Sequence, residues 1–383
     1  MRAFPGILLL LSFGVGSLPA QSSTLNLSTD LVTLGIASAN MVPNQPALDS
    51  GPLLESGVKY AASHKLASVV ASTGAYYFLS GSTSSSGAHV LLSGATTALT
   101  IDLQGSDLYF SHPDKIGLFL SNLTNVTLQN FTIDYQQIGF TQALVTGVNA
   151  AQRQIQFTVQ SGWQNPSALN ALIPAGQAIA YVYVFRNGQP WAGYSRMPAV
   201  SPFTDSAVTL TSATATTTVA TIRPGDVLVI EARAGSNGIL ASGLTGCTLR
   251  NIKIYSGGAG MRFIKSSSSL LEHVEVMPRP GTDRLMSTVA DGFQPQQLGA
   301  NNTIRLCRSI RTGDDGFSPV TWVFGSVQSV SGARSVQVQG DASTALNGNY
   351  PLPNGANVAF ERASDGVILG SAVLVSQAKA PGL

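Results

Sequence analysis

Apolar and polar residues alternate over short runs along most of the chain, at 68–71, 74–78, 89–92, 98–103 and 108–110. Gly, Ser or Asn separates neighbouring runs at intervals of roughly 8–12 residues, the spacing of strands in a sandwich, a barrel or a β-solenoid. One stretch has a different period. Over 53–64, Leu54, Val58, Ala61 and Ala62 fall at helical intervals and predict a helix. Residues 21–45 form a polar leader with little pattern.

An internal repeat selects among the three architectures. Residues 121–133 align without a gap on 242–254. Leu123, Thr124, Thr127, Leu128, Asn130 and Ile133 recur as Leu244, Thr245, Thr248, Leu249, Asn251 and Ile254. A shorter echo follows 22 residues later at Leu271, and another begins at Ile304. Apolar residues in equivalent places beside a polar turn position suit stacked coils of a parallel β-helix. Leu128, Leu249, Leu271 and Ile304 are therefore expected to form one interior row.

The first two copies stand 121 residues apart. Removing one coil of about 22 residues leaves about a hundred residues inserted between neighbouring coils. Runs at 155–159, 179–185, 207–210 and 227–230 read as strand pairs, with turns at Arg186-Asn187-Gly188 and Pro224-Gly225-Asp226. The fold class expected is all-β: a right-handed, pectin-lyase-like parallel β-helix over 46–138 and 236–321. It carries a small antiparallel β-barrel or sandwich over 139–235 and a partial C-terminal β segment over 322–383.

Composition sharpens this picture. Only 10% of the 383 residues are charged, against roughly 25% in an ordinary domain. The net charge of +2 excludes a nucleic acid or an acidic membrane held by bulk electrostatics. Arg2, the apolar run 6–15 and Leu18-Pro19-Ala20 read as an export signal over 1–20, too short to span a bilayer. The mature chain is expected to be secreted or periplasmic. Cys247 and Cys307 lie 60 residues apart, about two coils or ~10 Å, beyond the reach of a disulfide. Two buried free thiols are expected. Asn26, Asn122, Asn125, Asn130 and Asn301 open Asn-x-Ser/Thr triplets, at the frequency chance gives in so Asn- and Thr-rich a chain. His64, His89 and His273 lack a partner at ligand spacing, so neither a metal site nor a cofactor is expected.

In so acid-poor a chain, Asp291 and the adjacent Asp314 and Asp315 stand out. Their offset of 23 residues is about one coil, which lifts the chain by only ~4.8 Å. Both Asp291-Gly292-Phe293 and Asp315-Gly316-Phe317 follow the acid with a glycine that permits a sharp turn and a Phe that anchors the next strand. Carboxylates brought this close repel, which keeps one protonated and leaves another ionised. That is the equipment of acid–base glycoside hydrolysis. Arg284 and Arg311 are candidates to bind sugar hydroxyls, and Trp322 to stack on a sugar ring.

The stretches 122–135, Phe140-Thr141-Gln142, Gly225-Asp226, 251–260, 284–291 and Gly313-Asp314-Asp315, in that order, resemble the pectin-lyase-like parallel β-helix glycoside hydrolases. Over about 45–320 the chain is most similar to glycoside hydrolase family 110, the α-1,3-galactosidases. The Asp…Gly-Asp-Asp spacing is also similar to the polygalacturonases of family 28. The resemblance implies inverting hydrolysis of an α-linked sugar, terminal galactose in the closest case. It casts Asp314 as general acid, with Asp291 and Asp315 holding the water. Where relatives carry a His after each acid, this chain has Gln294-Pro295 and Ser318-Pro319. The partner expected is an oligosaccharide or polysaccharide. The alternatives are a polygalacturonase-like pectin hydrolase and a non-catalytic carbohydrate-binding β-helix.

Overall fold

The computed structural model describes residues 23–83, 87–172, 181–191, 197–198, 204–210, 219–232, 236–255 and 258–319, then 325–331, 335–340, 357–361, 368–373 and 375–376. The expected export signal and Trp322 lie outside the described residues. Two compact units divide the chain, Met1–Ser318 and Pro319–Leu383, a few residues ahead of the junction expected at 321/322.

In the larger unit one parallel sheet runs through Thr24–Asn26, Ser68–Val70, Leu99–Phe110, Val126–Tyr135, Thr248–Ile254, Leu270–Val276 and Thr303–Arg305. A second, five-stranded parallel sheet runs through Ala88–Ser93, Ile116–Ser121, Asn237–Ser242, Ala259–Ile264 and Phe293–Gln296. The chain alternates between them coil by coil, which makes the fold a parallel β-helix. Leu25, Val69, Ile101, Leu128, Leu249, Leu271 and Ile304 are successive partners across the first sheet. The expected row is present and reaches back to Leu25. All its members are buried except Ile304 in the last coil, which is half-buried. Each buried aliphatic in such a row contributes about 1.5–3 kcal/mol.

Corners form three columns. Asn122, Gly243, Lys265 and Gln297 share one; Asn125, Gly246, Ser268 and Asn301 the second; Asn130, Asn251, His273 and Leu306 the third, all with φ between 49° and 68°. Asn bears the left-handed conformation at lower cost than most residues. The triplet asparagines from Asn122 onward are thus corner residues. In the third column Asn251 Nδ2 donates to Asn130 Oδ1 at 3.0 Å, and Asn130 Nδ2 to Asp102.

The helix spans Gly51–Ser63, starts with Pro52 in its first turn, and buries Leu53, Leu54, Val58 and Ala61. Its Glu55 Oε1 accepts the Leu91 N–H at 2.7 Å. Ala88–Ser93 is the terminal strand of the second sheet, so the helix blunts an open edge. His89, on that strand, is 1% exposed. Its Nε2 accepts the His112 N–H at 3.2 Å, which assigns the proton to Nδ1, 2.9 Å from the Ser80 carbonyl. Burial, reinforced by the nearby charges of His112 and Lys115, pushes the His89 pKa below its ordinary value of 6.5, against the backbone hydrogen bonds. As pH falls below that unfolded value, the unfolded chain takes up the proton first and the fold loses stability. Thermal melts should therefore show Tm falling from about pH 6.5 to pH 5, and a His89→Gln variant should flatten that slope.

Val126–Tyr135 pairs directly with Thr248–Ile254, with Ile133 opposite Ile254, so the residues between them leave the helix and return to the adjacent coil. They build a seven-stranded antiparallel sheet in the order Gln189–Pro190, Tyr181–Arg186, Val227–Glu231, Phe140–Asn149, Gln154–Val159 and Ala207–Thr209, with Met197–Pro198 also on Tyr181–Arg186. The period-two alternation of these strands serves two cores. Val182, Val184, Leu228 and Ile230 pack with Ala143, Val145, Ile155 and Phe157 inside the insertion. Tyr183, Phe185 and Val229 face the other way with Phe140, onto Met286 and Val289 of the helix.

Among the described residues of the smaller unit, Gly325–Ser331 pairs antiparallel with Ser335–Gly340, and Asn357–Glu361 with Ile368–Val373. Both cysteines are free; Cys247 is buried, whereas Cys307, in the last coil of the larger unit, is only half-buried.

Candidate active site

Two hexapeptides 24 residues apart, Thr-Val-Ala-Asp-Gly-Phe at 288–293 and Thr-Gly-Asp-Asp-Gly-Phe at 312–317, lie in register. Thr288 bridges Thr312 and Phe293 bridges Phe317. The Thr288 hydroxyl donates to the Ala290 carbonyl at 2.8 Å, and that of Thr312 to the Asp314 carbonyl at 3.0 Å. Asp315, not Asp314, therefore stacks on Asp291. The offset of 23 residues pairs the wrong member; the local coil is one residue longer, and Asp314 lies above Ala290.

The glycines after the acids belong to a column, Gly117, Gly238, Gly260, Gly292 and Gly316, each preceding a strand residue of the second sheet or its continuation. None is among the positive-φ glycines. The reason for glycine is close approach rather than a sharp turn. A Cβ at Gly260 would lie 2.5 Å from the Gly292 carbonyl oxygen, and one at Gly292 would lie 2.8 Å from that of Gly316 and 2.0 Å from Ser309 Oγ. Gly292→Ala should cost about 1–3 kcal/mol of stability through overpacking, read as a lower midpoint in urea.

At the end of this column the three acids converge. One carboxylate oxygen from each of Asp291, Asp314 and Asp315 lies within 4.8 Å of the others. Asp291 is buried, Asp314 half-buried and Asp315 exposed. Strict strand alternation would send Asp314 and Asp315 to opposite faces; the turn at Gly313 lets both oxygens reach one place. Gln294 Nε2 donates to Asp291 Oδ2 at 2.6 Å. A water donating to two carboxylates through ~2.8 Å hydrogen bonds spans roughly 4.5 Å, so the cluster is the right size for one bound water. The three acids are also the one group of three metal-ligand side chains among the described residues. Being all oxygen, it would suit only a hard cation.

The other predicted residues are placed differently. Arg284 is 13% exposed and paired with Asp134 at 2.7 Å. Arg311 is half-buried, with Nη2 donating to Gln189 Oε1 at 3.3 Å. Asp226 is held by Arg186 through Nε at 2.8 Å and Nη2 at 2.7 Å, and by the Arg223 N–H, within the insertion. Burial opposes its ionisation, but these hydrogen bonds outweigh it and lower its pKa. A cavity of about 720 Å³ lined by Asp102, Asn130, Asn251, Lys253 and His273 follows the third corner column and includes none of the three acids.

What supports the acids comes from the insertion. Gln142 Oε1 accepts the Leu285 N–H at 2.7 Å while its Nε2 donates to the Asp283 carbonyl at 3.1 Å. Trp163 Nε1 donates to Asp283 Oδ2 at 2.9 Å, so Trp163 serves the junction rather than the insertion's own core. Tyr183 Oη donates to the Gly313 carbonyl. The alternation in Tyr181-Val182-Tyr183-Val184-Phe185 was the available signal: two polar-tipped rings on one face of a strand need partners outside it.

No family model and no curated protein matches the sequence. Among solved structures the chain is similar to a protein of Parabacteroides merdae provisionally named a glycosyl hydrolase, at 8% identity and TM-score 0.33, covering 78% of this chain and 95% of that one. It is also similar to a tailspike of E. coli bacteriophage HK620 in complex with a pentasaccharide, at 9% identity and TM-score 0.37, covering 76% of this chain and 36% of that one. A third is the A-module of a mannuronan C-5 epimerase from Azotobacter vinelandii, at 9% identity and TM-score 0.34, covering 71% and 56%.

Proposed function

We propose that this protein is a carbohydrate-active enzyme, secreted or periplasmic, that hydrolyses an α-linked glycoside, with terminal α-galactose the first substrate to test. The observation that carries the reading is the convergence of Asp291, Asp314 and Asp315 within 4.8 Å on consecutive coils. In this reading Asp314 protonates the leaving oxygen, while Asp291 and Asp315, stacked in register, hold the attacking water between them. The glycosyl bond breaks as water adds at the anomeric carbon. The proton given by Asp314 leaves on the aglycone, and the water's proton passes to the carboxylate pair.

Carboxyl groups flanking a sugar and a water usually stand ~6.5–9.5 Å apart in inverting enzymes and ~5–5.5 Å apart in retaining ones. Closest oxygens within 4.8 Å make product stereochemistry the decisive measurement. The protein should release galactose from an aryl α-galactoside, with the inverted anomer seen first by NMR. A retained anomer would replace the water-holding role of Asp291 by that of a nucleophile. Binding without hydrolysis across a glycan panel that includes polygalacturonate would make this a carbohydrate-binding β-helix.

A further inference from the structure

The cavity of about 720 Å³ opens on the outer face of the first sheet, along the third corner column. It crosses four coils, from Asp102 on Leu99–Phe110 to Glu275 on Leu270–Val276, which is three strand spacings or roughly 14 Å. A bulge marks one end. Asp102 to Ser106 is four steps where the paired Gln129 to Phe131 is two, and Gln104 and Gly105 stand exposed there at positive φ. Phe131, the large apolar residue of the lining, is only 2% exposed. The surface on offer is polar. A protein partner needs an apolar centre to its interface; a polyhydroxylated chain does not.

The acids of this face are already satisfied. Asp102 Oδ1 accepts the Gln104 N–H at 2.8 Å and Asn130 Nδ2 at 3.0 Å, and its Oδ2 accepts Gln129 Nε2 at 2.7 Å. Burial opposes its ionisation, but these hydrogen bonds prevail and lower its pKa. Asp107, Glu272 and Glu275 pair with Arg279, Arg305 and Arg308 at 2.9, 2.5 and 2.7 Å.

The bases are not so matched. Lys253 and His273 are exposed, and among the described residues neither makes an ion pair or a hydrogen bond. Arg250 gives its Nε to the neutral Gln129 at 2.6 Å. The amide ladder has a direction too. An acceptor-only carboxylate at its foot makes Asn130 donate downward and accept from Asn251 Nδ2 at 3.0 Å. Asn251 Oδ1 is thereby left as an acceptor without a partner among the described residues. His273 lies opposite Asn251 on the next coil, and Lys253 two residues further along. The groove thus presents an ammonium, a ring N–H in either state of the histidine, and one carbonyl. Its unmet demand is for an anion that carries hydroxyls.

We propose that this groove binds an acidic saccharide, apart from the acid cluster: Lys253 and His273 take a sugar carboxylate, and Asn251 accepts a neighbouring hydroxyl. That the ligand is a saccharide rests on the carbohydrate reading above; that it is an anion rests on the groove alone.

Calorimetric titration tests it on wild type and on Asp314→Asn, with short oligomers of galacturonate, mannuronate and hyaluronate. At least one should bind both proteins equally. Methylating its carboxyl groups, or replacing Lys253 by Gln, should each weaken binding about 10-fold or more, as loss of a charge-assisted hydrogen bond does. The two changes together should do little more than either alone. Asn251→Gly, which keeps the positive φ of the corner, should weaken the acid and its ester alike. Lys253 is exposed, so its variant should fold; the ester reads the same contact on the unaltered protein. No binding by any of the oligomers would overturn the proposal, as would equal affinity for acid and ester. Inorganic phosphate binding as tightly as the oligomers would overturn the saccharide assignment. Binding lost in Asp314→Asn but kept in Lys253→Gln would place the ligand at the acids and overturn it as well. Lys253-dependent binding in a protein that cleaves no glycoside would sustain the groove and remove the hydrolytic reading instead.

Discussion

Asp314→Asn is expected to lower turnover on a natural α-galactoside at least ~100-fold, since general acid–base assistance is worth ~10²–10⁴ in rate. The loss should be smaller on an aryl α-galactoside, because a phenolate leaves without much help from a proton. Asp291→Asn should impair both substrates alike, because attack by water is common to them. Neither change should unfold the protein. Asp314 is half-buried, and Asn preserves its volume. Asp291 accepts a hydrogen bond from Gln294 Nε2 at 2.6 Å, which an Asn carbonyl can also accept. Thermal melts within a few degrees of wild type would show that the loss is chemical. Wild-type-like turnover in either variant would sink the assignment.

The parts of this molecule legible in the sequence are those that repeat. A β-helix stacks like on like, so Leu128, Leu249 and Leu271 had to occupy equivalent places, and the coils at Ile133 and Ile254 had to be neighbours despite the insertion. The same stacking was readable in the acids, but only by aligning whole hexapeptides. Counting from Asp291 to the first acid of the pair gives 23 and conceals that Asp315 is its partner, whereas Thr288/Thr312 and Phe293/Phe317 give 24. The asparagines were visible as triplets, yet their meaning is conformational: a corner needs positive φ, and Asn122, Asn125 and Asn130 supply it. What repetition does not govern stayed hidden. Tyr183 meets Gly313 across 130 residues, and Arg284 meets Asp134 across 150. Those pairings follow from how a sheet of one period docks on a solenoid of another, and no local pattern encodes that.

That second pairing leads to the largest stability effect expected here: Asp134→Ala should cost about 3–5 kcal/mol, the penalty for removing one partner of a buried ion pair. The Asp134 side chain is 2% exposed. It accepts from Arg284 Nη1 at 2.7 Å, from Arg279 Nη1 at 3.0 Å and from the Tyr135 N–H at 2.8 Å. Arg279 also reaches Asp107 at 2.9 Å and lies 5.3 Å from the ring centres of both Tyr109 and Tyr255. Burial disfavours its charge, but the hydrogen bonds it donates to Asp107 and Asp134 prevail and push its pKa up. Without Asp134, Arg279 keeps a carboxylate and two rings. Arg284, 13% exposed, loses its paired carboxylate. Asp107 makes the contrast, since its side chain is 34% exposed and its removal leaves Arg279 paired with Asp134; Asp107→Ala should cost about 1 kcal/mol or less. Arg279 and Arg284 sit on the segment that leads through Met286 and Val289 to Asp291, so a loosened segment should also lower kcat in Asp134→Ala. Urea unfolding of the two variants decides it: equal midpoints would show that Asp134 holds nothing that Asp107 does not.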